Sequence, residues 1–308
     1  MVIGWRPASE VERMKFLNDF IACFSLAAQV PSSDVKVCIR LTGTSRVSHD
    51  GHHRHLQPNG CMTTEQSEAF LSFLEDALPQ LKDMSGSLLH DKHSEVHHTI
   101  IGLYGSILEY TADLLCLLEQ KRGTSIPVLL RASIEAYVDL TNLVADEHYM
   151  ECLEAAYLKE WTRLLTHAAA GNPYLKNLRA ADFFETMRER WGARAVELRE
   201  QGVRAKQWSE KFEAAGMRGE YEAIYNDLCS SSHNNLRAIL SRHVEIVSDE
   251  TDFNIVLFRS YEIEDFLREM VYIVSYMMKA SFLVHEYFKS ESLEELHRLQ
   301  ARLNLLPG

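Results

Sequence analysis

The stretch that decides the fold reads Ile126-Pro127-Val128-Leu129-Leu130-Arg131-Ala132-Ser133-Ile134-Glu135-Ala136-Tyr137-Val138-Asp139-Leu140-Thr141-Asn142-Leu143-Val144. It is mostly apolar, with a charged stripe formed by Arg131, Glu135 and Asp139 and joined by Asn142. On a helix of 3.6 residues per turn these four side chains fall within about 80° of arc. A helix that is apolar around nearly its whole circumference packs in a core. The charged stripe is therefore either a narrow strip facing solvent or a buried polar site.

Composition places the chain among ordinary globular proteins. Its 308 residues are 46% hydrophobic and 25% charged, enough to bury a full core. The net charge of −12 argues against a protein that coats nucleic acid or an anionic membrane. Six scattered cysteines without a Cys-x-x-Cys spacing indicate reduced thiols, and hence a cytoplasmic protein. No membrane span is expected, because Lys279 interrupts the most apolar late stretch, 270–284.

The pattern predicts a mainly α fold, a helical bundle of long antiparallel helices over residues 63–308. Residues 1–62 are predicted to form a small α/β appendage with an amphipathic helix, a short strand at 35–41 and a histidine-rich loop. Residues 244–247 and 253–258 flank a turn-like segment and form either a short hairpin or a loop. Helices are expected at about 64–81, 87–120, 126–144, 147–170, 182–191, 220–243, 261–288 and 292–303.

Two short motifs carry a family resemblance. Leu130-Arg131-Ala132-Ser133-Ile134-Glu135 is followed about a hundred residues later by Tyr225-Asn226-Asp227-Leu228-Cys229-Ser230-Ser231-Ser232-His233-Asn234. An Arg-x3-Glu helix followed by Tyr-x2-Leu-x4-His resembles the bacterial domain-of-unknown-function family 5677, over roughly residues 87–288. The resemblance implies an α-helical domain and importance for Arg131, Glu135 and His233, and it implies no settled activity.

The second motif, taken as a helix, has a polar face that could meet the charged stripe. Asn226, Ser230, His233 and Arg237 share that face, whereas Tyr225 lies on an apolar one. If the two faces meet in a bundle, they form a buried cluster in which Arg131 pairs with Glu135 and a carboxylate orients His233. Asp139, Asn226 and Asn234 would then bind ligand. The cluster is functional or serves only to fix helix register.

Three functions follow as hypotheses. The first is a metal-independent ribonuclease or defence-type effector. It resembles the all-α HEPN domains, which carry Arg-x4-6-His and usually form homodimers, and Arg237-x5-His243 has that spacing. In that chemistry His243 is the general acid or base and Arg237 stabilises the phosphorane, with His233, Arg131 and Glu135 as further catalytic candidates. The second is a non-catalytic module that binds a small anionic ligand or a protein partner at the cluster.

The third hypothesis is a metal-dependent enzyme, and the chain offers histidines for it. His90, His93 and His97 share one face of the expected helix, and the last two have zinc-ligand spacing. The solvated start of a long helix is the favoured explanation of these histidines, so no metal or other cofactor is predicted. Residues 188–218 offer RNA a surface, with eight basic side chains and two tryptophans, Trp191 and Trp208. The alternating charges also suit a solvated, salt-bridged face.

Overall fold

The computed structural model describes residues 64–233, 235–246 and 253–307, and this part of the chain is mainly α, as predicted. The elements in chain order are α1 (Thr64–Ser85), α2 (Glu95–Glu119), α3 (Ile126–Ala145), α4 (Tyr149–Ala169), α5 (Lys176–Arg179), α6 (Phe184–Glu200), α7 (Trp208–Ala214), α8 (Arg218–Glu220), α9 (Asn226–Ser232), α10 (Leu236–His243), β1 (Val244–Ile246), β2 (Phe253–Ile255), α11 (Leu267–Tyr287) and α12 (Leu293–Leu303). The predicted appendage lies outside the described residues, so a domain boundary at residue 62 stays a prediction.

The charged-stripe helix, α3, is central to the larger of two compact units. That unit contains the described residues of 61–156 and 202–308. In it α3 packs against α2, α11, α9 and α7, and α1 and α12 pack against α11. Leu130, Ile134, Val138 and Leu140 of α3 are fully buried in this core. The apolar circumference of the helix is thus covered on several sides, as its composition predicts.

The smaller unit contains the described residues 157–201. Its centre is aromatic: the ring of Trp191 lies 5.1 Å from that of Trp161 and 5.8 Å from that of Tyr157. Phe184 and Met187 of α6 are buried in the same unit. These side chains give the unit an apolar centre of its own.

Two predicted helices have different limits in the structure. The helix expected from residue 87 begins at Glu95, because the Ser94 side chain accepts a hydrogen bond from the His97 N–H and caps it. The helix expected over 220–243 is divided into α8, a π-helical turn at Tyr221–Tyr225, α9 and α10. Asn235 caps α10 by accepting from the Ala238 N–H, so the chain restarts there in a new helix.

The residues after α10 form the predicted hairpin. β1 pairs with β2 in antiparallel register, with Val244 opposite Ile255 and Ile246 opposite Phe253. The pairing continues one residue further, where the Val256 N–H donates to the His243 carbonyl. A hairpin rather than a loop therefore follows α10.

α2 is long and apolar enough to cross a membrane by length and composition. Core helices of helical bundles meet the same criterion, and α2 buries Ile100, Tyr104 and Leu114 against its neighbours. The absence of a membrane span and the cytoplasmic location stay predictions.

A buried histidine lies in the core on α11. His285 is 0% exposed, and neither of its ring nitrogens has a hydrogen-bond partner among the residues that the structure describes. Its ring packs edge-to-face against Tyr104 at 6.1 Å, and burial lowers its pKa. A buried polar group without a partner costs free energy, so His285 destabilises the fold.

His285→Leu is expected to raise the free energy of unfolding by about 1–2 kcal/mol, because leucine has no polar atoms to bury unpaired. The gain should grow as the pH falls below about 6.5. Below that pH the histidine of the unfolded wild type binds a proton, whereas the buried ring of the folded protein stays neutral, so the wild type loses stability. Chemical denaturation at about pH 8 and pH 5 measures both effects. His148→Leu, at an exposed position, is the control. A gap between wild type and His285→Leu that does not change with pH would contradict the expectation.

Candidate functional site

The charged stripe of α3 is neither fully buried nor turned to solvent. The exposed fractions of the Arg131, Glu135 and Asp139 side chains are 21%, 23% and 13%. Ser125 is the N-cap residue of the helix, and Pro127 lies in its first turn. The stripe lies at the rim of the core and divides into two polar groups with different partners.

The first group is the Arg131 cluster, which consists of Arg131, Glu135, Tyr225 and His233. The Arg131 Nε donates to Glu135 Oε1 at 3.0 Å, and Nη1 lies 3.3 Å from His233 Nε2. Nη2 lies 3.5 Å from the Tyr225 hydroxyl, which donates to Glu135 Oε1 at 2.7 Å. Tyr225, just before α9, and His233, at the carboxyl end of α9, thus contact the charged stripe.

Hydrogen-bond chemistry fixes the roles within the Arg131 cluster. Guanidinium groups only donate, so His233 Nε2 accepts from Arg131 and the ring proton lies on Nδ1. Burial and the hydrogen bond to Glu135 raise the pKa of Tyr225, which keeps the phenol protonated. Burial alone would lower the pKa of Arg131, but Glu135, Tyr225 and Cys229 together outweigh burial and leave that pKa raised. The cluster therefore holds a fixed cation and has no free imidazole lone pair at Nε2.

The second group is the Asp139 cluster, formed around Asp139 and Lys211. Lys211 Nζ lies 2.9 Å and 3.0 Å from the two Asp139 carboxylate oxygens, and only 11% of its side chain is exposed. The Tyr149 hydroxyl donates to the same carboxylate at 2.6 Å. Burial and the Asp139 carboxylate raise the pKa of Tyr149. Lys211 also lies 4.1 Å from the centre of the Trp208 ring, a cation–π contact.

The Asp139 cluster also ties α7 to α3 through the main chain. The Asn142 amide, 5% exposed, donates to the Lys211 carbonyl at 2.9 Å and to the Val138 carbonyl at 3.0 Å. Every described member of this cluster is therefore engaged with another. Such an arrangement fixes α7 on α3 and leaves no polar group of the cluster available to bind a ligand.

Aromatic rings separate the two polar groups. Phe212, 0% exposed, packs 4.9 Å from Tyr225 and 5.4 Å from Tyr221, and Trp208 packs 5.9 Å from Tyr225. Tyr225 belongs to both assemblies, because its ring is in the aromatic group and its hydroxyl is in the Arg131 cluster. The sequence places Tyr225 on an apolar face, and that describes its ring but not its hydroxyl.

Of the predicted polar face on α9 and α10, only His233 meets the charged stripe. Asn226 is exposed and contacts its own helix, with its amide 3.4 Å from the Glu222 carbonyl. Arg237, 76% exposed, pairs with Asp227 at 2.9 Å. The predicted meeting of the whole face fails because a π-helical turn and the break before Asn235 interrupt the regular helical spacing. Asn234 lies outside the described residues.

The outer side of α9 borders an open groove of about 390 Å³. Asp227 lines the groove and pairs with Arg237 and, at 3.5 Å, with Arg268. Arg268 pairs also with Glu269 at 2.7 Å. Cations and carboxylates are balanced along this groove, so it has no excess charge to attract an anion.

His243 lies at the end of α10, away from Arg237 along the helix. The two are six positions apart, which corresponds to about 9 Å along the helix and about 120° around its axis. His243 Nδ1 lies 3.0 Å from the Val256 carbonyl oxygen, which holds the ring against the hairpin. The two residues of the Arg-x5-His motif therefore have separate partners.

Several basic side chains of residues 188–218 form ion pairs within the protein. Arg188, Arg194 and Arg204 pair with nearby glutamates, and Lys211 pairs with Asp139. Trp191 is 3% exposed, so it offers no surface on which a base could stack. Contact with RNA through this region stays a prediction.

The histidines proposed for a metal do not share a helical face. His90 and His93 precede α2, and His97 Nδ1 accepts from the Asp91 N–H while its ring packs 5.1 Å from Phe288. Within 64–233, 235–246 and 253–307, no three His, Cys, Asp or Glu side chains are grouped as a metal site.

Comparison with known proteins gives one result. No curated protein and no solved structure matches the chain. A family model described as a family of unknown function, DUF5677, matches residues 97–252. The matched segment contains every residue of the Arg131 and Asp139 clusters and leaves out α1, α11 and α12. Because the match covers half of the chain, the chain belongs to the DUF5677 family.

Proposed function

We propose that the chain is a non-catalytic helical module that binds a small anion at the Arg131 cluster. The observation that supports this proposal is the set of contacts made by the Arg131 guanidinium. Three of its five N–H groups contact Glu135, His233 and Tyr225, and two are not engaged by any described residue. About a fifth of the side chain is exposed, beside the exposed His233.

A guanidinium held in place by oriented partners suits recognition of a carboxylate or phosphate oxygen. Its planar fork can donate two N–H groups to one anion, and partners that fix the plane reduce the entropy lost on binding. His233 accepts from Arg131 at Nε2, which helps to fix the plane of the guanidinium. Before an anion binds, the Glu135 carboxylate pairs with the Arg131 guanidinium. This pairing lowers the free-energy cost of keeping the partly buried cation away from water.

The experiment measures thermal stabilisation by inorganic phosphate at constant ionic strength. Wild type is expected to gain about 2.7 kcal/mol of stability at a phosphate concentration of 100 times Kd. Arg131→Gln should abolish this gain, and Arg131→Lys should weaken it, because lysine keeps the charge and loses the fork. Arg237→Gln is the matched control, since Arg237 is an exposed arginine paired elsewhere. An equal gain in Arg131→Gln, or none in wild type, contradicts the proposal.

A metal-independent ribonuclease of the HEPN type is the second candidate, and one observation favours it. The contact between His243 Nδ1 and the Val256 carbonyl puts the ring proton on Nδ1 and leaves the Nε2 lone pair available as a base. Cleavage of single-stranded RNA in the presence of a chelator tests it. Cleavage by wild type that is lost in His243→Gln and kept in His233→Gln would support this candidate over anion binding. No cleavage by wild type removes it.

A further inference from the structure

An exposed apolar face runs along α10. Leu236, Ile239 and Leu240 are 70%, 42% and 47% exposed, and their spacing of three and four residues places them on one side of the helix. Ala238, on the opposite side, is 6% exposed and faces the core. α10 is therefore an amphipathic helix whose larger apolar side chains point away from the bundle.

The hairpin that follows continues the same pattern. Phe253 and Ile255 alternate along β2, which puts them on one face, and they are 58% and 63% exposed. Leu257, in the bend that follows β2, is 67% exposed. Val244 lies opposite Ile255 and so shares this face. An apolar face of this extent on a two-stranded sheet indicates a surface that another molecule covers.

The outer edge of β2 also has backbone groups that can pair with another strand. Both the N–H and the carbonyl of Val256 point towards His243. In an antiparallel pair the groups of successive residues alternate in direction, so those of Phe253 and Ile255 point to the opposite edge. An apolar edge strand is a template for pairing with another strand.

We propose that the α10–β2 face, defined by Leu236, Ile239, Leu240, Phe253, Ile255 and Leu257, is the interface of a homodimer. A second copy fits because an edge strand can pair with its own copy about a two-fold axis. An axis at Ile255 places the Ile255 side chains of the two copies next to each other. The result is a four-stranded antiparallel sheet flanked by two copies of α10.

The apolar side chains of the face supply most of the area that a stable dimer buries. At roughly 170 Å² for each large apolar side chain, the six exposures leave about 600 Å² of apolar surface per copy. A stable interface needs about 800 Å² per partner, and the backbone of the β2 edge supplies part of the rest. The proposal does not depend on anion binding, because no residue of the face belongs to the Arg131 cluster.

Light scattering on the full chain after size exclusion tests the proposal. Wild type is expected at twice the 35.3 kDa chain mass at concentrations of about 10 μM and above. Ile255→Asp and Leu240→Asp should each weaken dimerisation at least tenfold, because each places two carboxylates in a dry interface. Leu305→Asp, an equally non-conservative change at an 83% exposed leucine elsewhere, should leave the dimer intact.

A cysteine variant keeps the test valid if an aspartate variant fails to fold. Ile255→Cys should form a disulfide-linked dimer under mild oxidation, because the two-fold axis brings the two copies of residue 255 together. Wild type, with its own cysteines, is the control for other cross-links. A wild type that is monomeric at all concentrations overturns the proposal. So does a dimer that survives both aspartate variants and gives no Ile255→Cys cross-link.

Discussion

Lys211→Met is expected to lower the free energy of unfolding by about 2–4 kcal/mol. The change removes the cation from a pair whose side chains are only 11% and 13% exposed and leaves the Asp139 carboxylate with the Tyr149 hydroxyl alone. A charge left without its partner away from water carries its full desolvation cost. Methionine keeps an apolar stem against Trp208, so the measured loss reports the ion pair rather than the packing. Thermal unfolding should show a fall in Tm of roughly 5–10 °C.

Two further variants separate the pair from its surroundings. Asp139→Leu combined with Lys211→Met should recover most of the lost stability, because apolar side chains often replace a buried ion pair at little cost. Arg218→Met breaks an exposed pair with Glu222, whose side chains are 69% and 62% exposed, and should change stability very little. If Lys211→Met is as mild as Arg218→Met, the Asp139 cluster does not fix α7 on α3.

Phe212→Ala should have the other large effect, a loss of about 3–5 kcal/mol. The ring is fully buried and packs against Trp208, Tyr221 and Tyr225, so its removal leaves a cavity between the two polar groups. Tyr225 then loses the ring that positions its hydroxyl on Glu135. Chemical denaturation measures the stability change.

The size of the replacement side chain provides the control for Phe212. Phe212→Leu keeps most of the volume and should cost less than half as much. Leu89→Ala truncates an 88% exposed leucine and should change stability by no more than about 0.5 kcal/mol. Equal losses in Phe212→Ala and Phe212→Leu would show that the aromatic ring, rather than filled volume, is what the site requires, contrary to the expectation.

Local patterns in the chain predicted the fold well. The spacing of apolar residues predicted α3, because helix formation depends on neighbours within one or two turns. The runs at 244–247 and 253–258 around a turn-like segment left a hairpin and a loop open, and only the structure shows that the hairpin forms. The Arg131–Glu135 pair was also predictable, since residues four apart on a helix are neighbours in any helical fold.

Contacts across long distances in the sequence were not predictable. Lys211 lies 72 residues from Asp139 and pairs with it only because α7 packs on α3. The nearest signal in the chain is that Lys211 lies between Trp208 and Phe212, two aromatic residues that belong in a core. His285 had no signal at all, because burial without a partner is a property of the packed bundle.

The sequence by itself thus determined that α3 is a core helix with a charged stripe and that Arg131 pairs with Glu135. Tertiary structure decided that the stripe divides, with Tyr225 and His233 on one part and Lys211 and Tyr149 on the other. The physical reason is that helical periodicity holds only within an unbroken helix. The turn at Tyr221–Tyr225 and the break before Asn235 reset it, and packing then selected which side chains meet the stripe.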